Sequence, residues 1–219
     1  MKSIFLILFT GIVFLNDSFA QKAVNEATLS YTIGIESLND KPALSKQLDG
    51  ATLTVYIKGT ASRSDMVNSL GTESNLYDSK TGKGVILKEY SGQKLMISLT
   101  KANWIQKNQY FQNLKFSIDN TEQTIAGFKC RKATAKLEGG KNFVVYFIPD
   151  VTITNKEYNN AFGQLPGIPV QYEQESGKLK FTYTLTNINY DGIPAGKFDT
   201  PKSGFRIMTY DENQQLKKG

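Results

Sequence analysis

Apolar and polar residues alternate one for one along much of this 219-residue chain, and that rhythm leaves few folds open. Leu29, Tyr31, Ile33 and Ile35 are separated by Ser30, Thr32 and Gly34. Leu53, Val55 and Ile57 alternate with Thr54 and Tyr56, and the pattern returns at Leu95, Ile97 and Leu99 and at Phe181, Tyr183 and Leu185. A side-chain period of two marks strands with one buried face, the habit of antiparallel sheets. NFVVYFI at 142–148 departs from it. Apolar on both faces, it is expected to lie centrally, with something packed over its second side.

Turn sequences punctuate the strands at the spacing of an all-β sandwich or barrel, about 8–12 residues. They are TGKG at 81–84, SGQ at 91–93, GGK at 139–141 and SGK at 176–178. Residues 50–99 read as a meander of short strands. No repeat, low-complexity tract or linker divides the chain, so a single β domain is expected. Helical signal is sparse. KANWIQKNQ at 101–109 fits two turns capped by Thr100, with Trp104 and Ile105 toward the core, and 158–162 fits one further turn. Phe128 and Cys130 are out of phase with Ala133, Ala135 and Leu137, which predicts a β-bulge near Arg131–Lys132. A sheet of about ten antiparallel strands must curl. The fold class expected is therefore mainly β: a single curved antiparallel sheet, a half-open barrel, with one or two short helices.

The N-terminus has the form of an export signal. Lys2 precedes an apolar run at 4–15, and Ser18 and Ala20 place small residues at −3 and −1 of a cleavage site before Gln21. The expected organisation is a signal peptide at 1–20, a half-barrel domain at 21–212 and a polar tail at 213–219. No later stretch has transmembrane length, so a transmembrane protein is not expected. Lys2 and Asp17 cancel, so cleavage keeps the net charge at +6. The lysines are spread along the chain (Lys58, Lys80, Lys88, Lys101, Lys115) with no basic stripe, and no nucleic-acid partner is expected. Cys130 is the only cysteine. It forms no internal disulfide and reads as a buried free thiol.

Missing residue types exclude much chemistry. The chain has no histidine, which removes Ser-His-Asp and Cys-His catalysis and histidine zinc sites. Gly82-Lys83 and Gly140-Lys141 lack the Ser or Thr of a P-loop, and no acidic run suits calcium. Asp150, Glu157, Glu173 and Glu175 are the carboxylates available for glycosidase-type chemistry, but their spacing does not set them apart. No catalytic residue, metal or cofactor is assigned.

FGQLPGIPVQYE at 162–173 fixes the backbone with two glycines and two prolines. It has no Lys, Ser or Thr placed to cradle phosphate. Pro166-Gly167 has the sequence of a type II turn, and Pro169 holds Ile168 extended before a strand. Two readings stay open: a rigid corner sending Leu165 and Ile168 into the core, or an apolar lip over a ligand cavity.

Four motifs occur in order: IAGFKCRKATA at 125–135, YFIPDV at 146–151, LPGIPVQYE at 165–173 and FDTPKSGFRIM at 198–208. With the leader, they resemble the GLPGLI family of Gram-negative envelope proteins and its close relatives, over about 29–208. Gln164 interrupts the family's Gly-Leu-Pro-Gly, which favours a sister branch. The resemblance implies a fold similar to periplasmic lipoprotein carriers, in which a curved sheet offers an apolar concave face, and a place in the periplasm or on the periplasmic face of the outer membrane. The expected function is non-enzymatic binding of a lipid, lipoprotein acyl chain or hydrophobic peptide. Trp104, Phe147, Phe162, Leu165 and Ile168 would line or gate that face, and Pro166, Gly167 and Pro169 would shape the corner. An interaction module with a filled core, meeting another envelope protein, is the alternative. A carboxylate-dependent hydrolase comes third.

Overall fold

The alternating segments become neighbours in one large sheet. The computed structural model describes residues 21–39 and 50–216, with Ser45 and Leu48 between them; the expected signal peptide and residues 217–219 of the expected tail lie outside the described residues. A short strand β1 (Lys22–Val24) leads into a meander of β2 (Glu26–Ser37), β3 (Thr52–Lys58), β4 (Ala61–Asn68), β5 (Gly71–Asp78), β6 (Lys83–Tyr90) and β7 (Gln93–Leu99). Helix α1 (Lys101–Lys107) follows, then β8 (Ser117–Ile125), β9 (Phe128–Lys136), β10 (Asn142–Ile148), β11 (Val151–Ile153), β12 (Ile168–Ser176) and β13 (Leu179–Asn189). The described chain closes with β14 (Arg206–Thr209) and α2 (Tyr210–Leu216), which runs through the expected domain end at 212.

Twelve of these strands form one sheet, ordered β14-β7-β6-β5-β4-β3-β2-β13-β12-β10-β9-β8. It is curved and stays open, since its edge strands β14 and β8 do not pair with each other. Two arms, β3–β7 on one side and β8, β9, β10 and β12 on the other, meet where β2 pairs with β13. The sheet is antiparallel except at β14, which lies parallel to β7. Separately, β1 pairs in parallel with β11, and the Gln21 side chain donates to the carbonyls of Pro149 and Pro166.

One face of the sheet carries the main core. Leu29, Ile57, Val145, Phe147, Val170 and Leu185 are fully buried there. The end of β11 and the segment after it fold over them with Ile153, Tyr158, Ala161, Phe162 and Leu165. Area drives this packing, at about 1.5–3 kcal/mol for each large apolar side chain removed from water. On β10, Phe143, Val145 and Phe147 are buried while Val144, Tyr146 and Ile148 are half-covered. The strand lies two in from the β8 edge, not at the centre, so its apolar second face reflects partial cover.

Three local expectations change. Thr100 caps α1 in a reciprocal box with Asn103, and Trp104 is buried, but Ile105 points to solvent, because two turns can present only one stripe to the core. The register break opposite Arg131–Lys132 lies in β8, between Asp119 and Glu122, not in β9. There the Asp119 carboxylate accepts from the Thr121 N–H, which pins the extra residues within the strand. Gly167 has no positive φ, so the corner is not a type II turn. Glycine is needed there for contact: a Cβ would lie 2.1 Å from the Ile148 carbonyl oxygen and 2.4 Å from the Phe147 ring. Pro169 sits beside a bulge in β12, where its lack of an N–H does least harm, and its carbonyl accepts from the buried Tyr31 hydroxyl at 2.9 Å.

Candidate functional site

The five residues expected to line a ligand face are all buried. Phe147 and Ile168 are 0% exposed and Leu165 1%, and with Phe162 they belong to the main core. Phe162 packs edge-on to Tyr172 with ring centroids 4.7 Å apart. Trp104 stands apart from these four. It stacks on Tyr77 at 4.3 Å with the planes 6° from parallel, in a separate cluster with Ile86, Ile97, Leu99 and Tyr210. Trp104 also borders a cavity of about 280 Å³ with Leu114, Lys156 and Glu157.

A larger opening lies at the β14 end of the sheet, on the face opposite the main core. Its volume is about 880 Å³. Cross-strand pairing aligns Leu76 with Val85, Val85 with Ser98, and Ser98 with Thr209, and this row floors the cavity. Phe198 and Thr200 form one wall, and the starts of α1 and α2 close the ends with Lys101 and Asp211. Lys83, the first residue of β6, also lines it.

The wall exists because the chain between β13 and β14 crosses this outer face. Lys58 donates to the Ile193 carbonyl at 2.6 Å, and Glu26 accepts from the Ile193 N–H. Farther along, Arg63 donates to the Lys197 carbonyl at 3.0 Å, and the Lys197 ammonium lies 4.2 Å from the centre of the Tyr56 ring. Phe205 then packs against the outer-face cluster of Leu76, Leu87 and Met96. The Ile193 N–H, then Lys58, hold the Glu26 carboxyl below its usual range.

Behind the floor, on the core face, the Tyr77 ring covers Gly84 of the neighbouring strand. A Cβ on Gly84 would meet the Leu76 carbonyl oxygen at 2.6 Å and the Tyr77 ring at 3.2 Å. The Tyr77 hydroxyl donates to Glu157 at 3.2 Å, and its pKa is pushed up to about 12, first by burial and then by that carboxylate. The other expected carboxylates go elsewhere: Glu173 faces Lys180 at 3.6 Å, Glu175 pairs with Lys141, and Asp150 is exposed in the turn before β11. Among the described residues no group of three or more acidic or cysteine side chains could hold a metal, and no helix is long and apolar enough to cross a membrane. The Cys130 thiol is buried, donates to the Phe128 carbonyl at 3.3 Å, and is pushed up by burial.

The alternation did not single out Leu76, Val85, Ser98 or Phe198. Its signal was present as a break in rhythm: Leu76-Tyr77 and Val85-Ile86-Leu87 place apolar residues on both faces of neighbouring strands.

No protein-family model matches the chain, and no curated protein matches it in sequence. Comparison with solved structures does find similar ones. An uncharacterised conserved protein from Thermus thermophilus superposes with a TM-score of 0.50 at 10% identity, covering 84% of this chain and 90% of that one. PNGF-II aligns over 90% of this chain with a TM-score of 0.48 and 11% identity, and the match spans only 33% of PNGF-II. MucB in its complex with MucA, from Pseudomonas aeruginosa, gives 0.40 at 13% identity, covering 80% of this chain and 56% of that one. What the first of these shares with this chain is the fold: a mainly β protein built on a large, open, curved sheet.

Proposed function

We propose that this chain is an exported, non-enzymatic binding protein of the Gram-negative envelope that takes a lipid acyl chain into the outer-face cavity. The observation that carries the reading is the cavity of about 880 Å³, floored by Leu76 and Val85 and walled by Phe198. That volume falls within the range of about 300–1,000 Å³ common to small-molecule sites. Binding would be driven by area, at about 25 cal/mol per Å² of apolar surface buried. In this reading Phe147, Phe162, Leu165 and Ile168 hold the sheet's shape from the core side. Trp104 fixes Tyr77, whose strand supplies the floor. The leader and the four GLPGLI-like motifs support export and a place in the periplasm.

The test is native mass spectrometry of the purified full chain, followed by titration with a fluorescent fatty acid. Saturable binding is expected, and Ser98→Trp, which fills the floor, should weaken it by at least about tenfold, or 1.4 kcal/mol. No copurified lipid together with no saturable binding to the wild type ends the proposal. N-terminal sequencing of the exported protein should begin at Gln21.

A further inference from the structure

Between β10 and β12 the sheet comes apart. The two strands pair only from Val145 with Tyr172 to Ile148 with Ile168. Beyond Val145, residues 142–144 remain paired to β9, and residues 173–176 remain paired to β13. Both strands therefore stay extended while no ladder joins them. The cause lies one step inward. Tyr146 faces Gln171 while Phe147 faces Pro169, so Val170 has no partner. A bulge of this kind bends its strand and adds local twist.

The separation opens a cavity of about 420 Å³. Phe143 and Tyr172, both buried, reach it from the core, and Tyr110 and Phe111 approach from the turn after α1. Tyr110 packs edge-on to Phe111 at 5.2 Å, and Phe111 lies 5.6 Å from Phe143. Lys141 and Glu175 pair with each other at the end where the strands part.

Strands that separate in mid-sheet turn backbone N–H and C=O groups toward the gap, and those groups are costly to leave unmade. Two such edges face each other here, beside an aromatic floor. Another extended backbone presents alternating donors and acceptors at the strand repeat to such an edge; a saturated acyl chain has neither. We infer that the cleft between β10 and β12 is a second site, distinct from the outer-face cavity, which takes an extended peptide of about three residues by strand addition. Main-chain hydrogen bonds supply the affinity, Tyr110 and Phe111 take an apolar side chain, and the Lys141–Glu175 pair opens to admit it.

The test uses the full chain, isotopically labelled, with acetyl-Val-Tyr-Val-amide as probe. Its backbone N-methylated counterpart, chitotriose and lauric acid serve as comparators. The expected result is saturable movement of the amide resonances of 142–146 and 171–175, with hydrogen exchange at 142–144 and 173–175 slowed by the peptide. N-methylation should weaken binding by about tenfold, since it removes backbone donors. Tyr110→Ala, at a side chain 44% exposed, should weaken it without unfolding the protein. Ser98→Trp should leave the peptide response unchanged, which separates this site from the acyl-chain cavity. No response to the peptide, equal affinity for the N-methylated form, or response at these amides only to chitotriose or lauric acid overturns the proposal.

Discussion

The two arms of the sheet bury their apolar residues by different means. In β9, β10, β12 and β13 one face is packed under a thick layer supplied by residues 153–165, and the other is wetter. In β5, β6 and β7 both faces are apolar, each under a thin cover. Tyr77, Ile86 and Ile97 lie beneath α1 and α2, while Leu76, Leu87 and Met96 lie beneath Phe205. A thick layer from one continuous segment can interdigitate fully. A single strap crossing an open face cannot, and the space it leaves is the cavity. The outer-face cavity therefore lies in the thin arm, and the thick arm opens where β10 and β12 part.

Truncation tests this comparison most severely. Phe147→Ala should cost about 4 kcal/mol, because its surroundings are filled and cannot collapse, whereas Leu76→Ala beside an existing cavity should cost about 2 kcal/mol. Urea unfolding of the two variants reads the contrast, and equal losses would break it. The next effect is one of pH. Burial, with neighbouring phenols, holds Tyr31 and Tyr172 well above the usual tyrosine value, and burial alone raises Tyr158. All three lie in the thick core. A phenol raised on folding stabilises the protein fully below its unfolded value of about 10, and that stability drains away as pH rises toward the folded value, because the unfolded chain then binds fewer protons. Stability should therefore fall above about pH 10, and Tyr172→Phe should lessen the slope by up to about 1.4 kcal/mol per pH unit. Phenolate absorbance that appears before loss of structure and is diminished by Tyr172→Phe would contradict the assignment. The smallest effect belongs to the thin arm. Thr209→Ala removes the cap that accepts from the Glu212 N–H at 3.2 Å, and should cost about 1 kcal/mol by thermal unfolding.

Local rhythm made β2, β3, β7 and β13 readable, and the Thr100 cap made α1 readable. A signal outside that rhythm marks α2: Thr209-Tyr210-Asp211-Glu212 carries the spacing of a capping box, and the structure makes both of its bonds at the start of the helix. Gly167 could be read as a special position, but not for its reason, since a close approach depends on where β10 ends. The outer-face cavity was out of reach. It depends on contacts such as Lys197 with Asp65 and Lys58 with Ile193, which join residues far apart in the chain. The β10–β12 cleft was hidden for the same reason, because a lost ladder is a property of two strands.

The seam between the arms also governs the order of assembly. β2 and β13 pair from Thr28 with Asn189 to Ser37 with Leu179, so the sheet's central joint unites early and late parts of the chain. Closing so long a loop is slow compared with forming hairpins. A chain threaded from its N-terminus can zip β2 to β7 as a meander, yet it keeps β2 as a bare edge until β13 arrives. For that interval the vulnerable species is half a sheet, with Leu29, Tyr31 and Ile33 open to any strand that reaches them first.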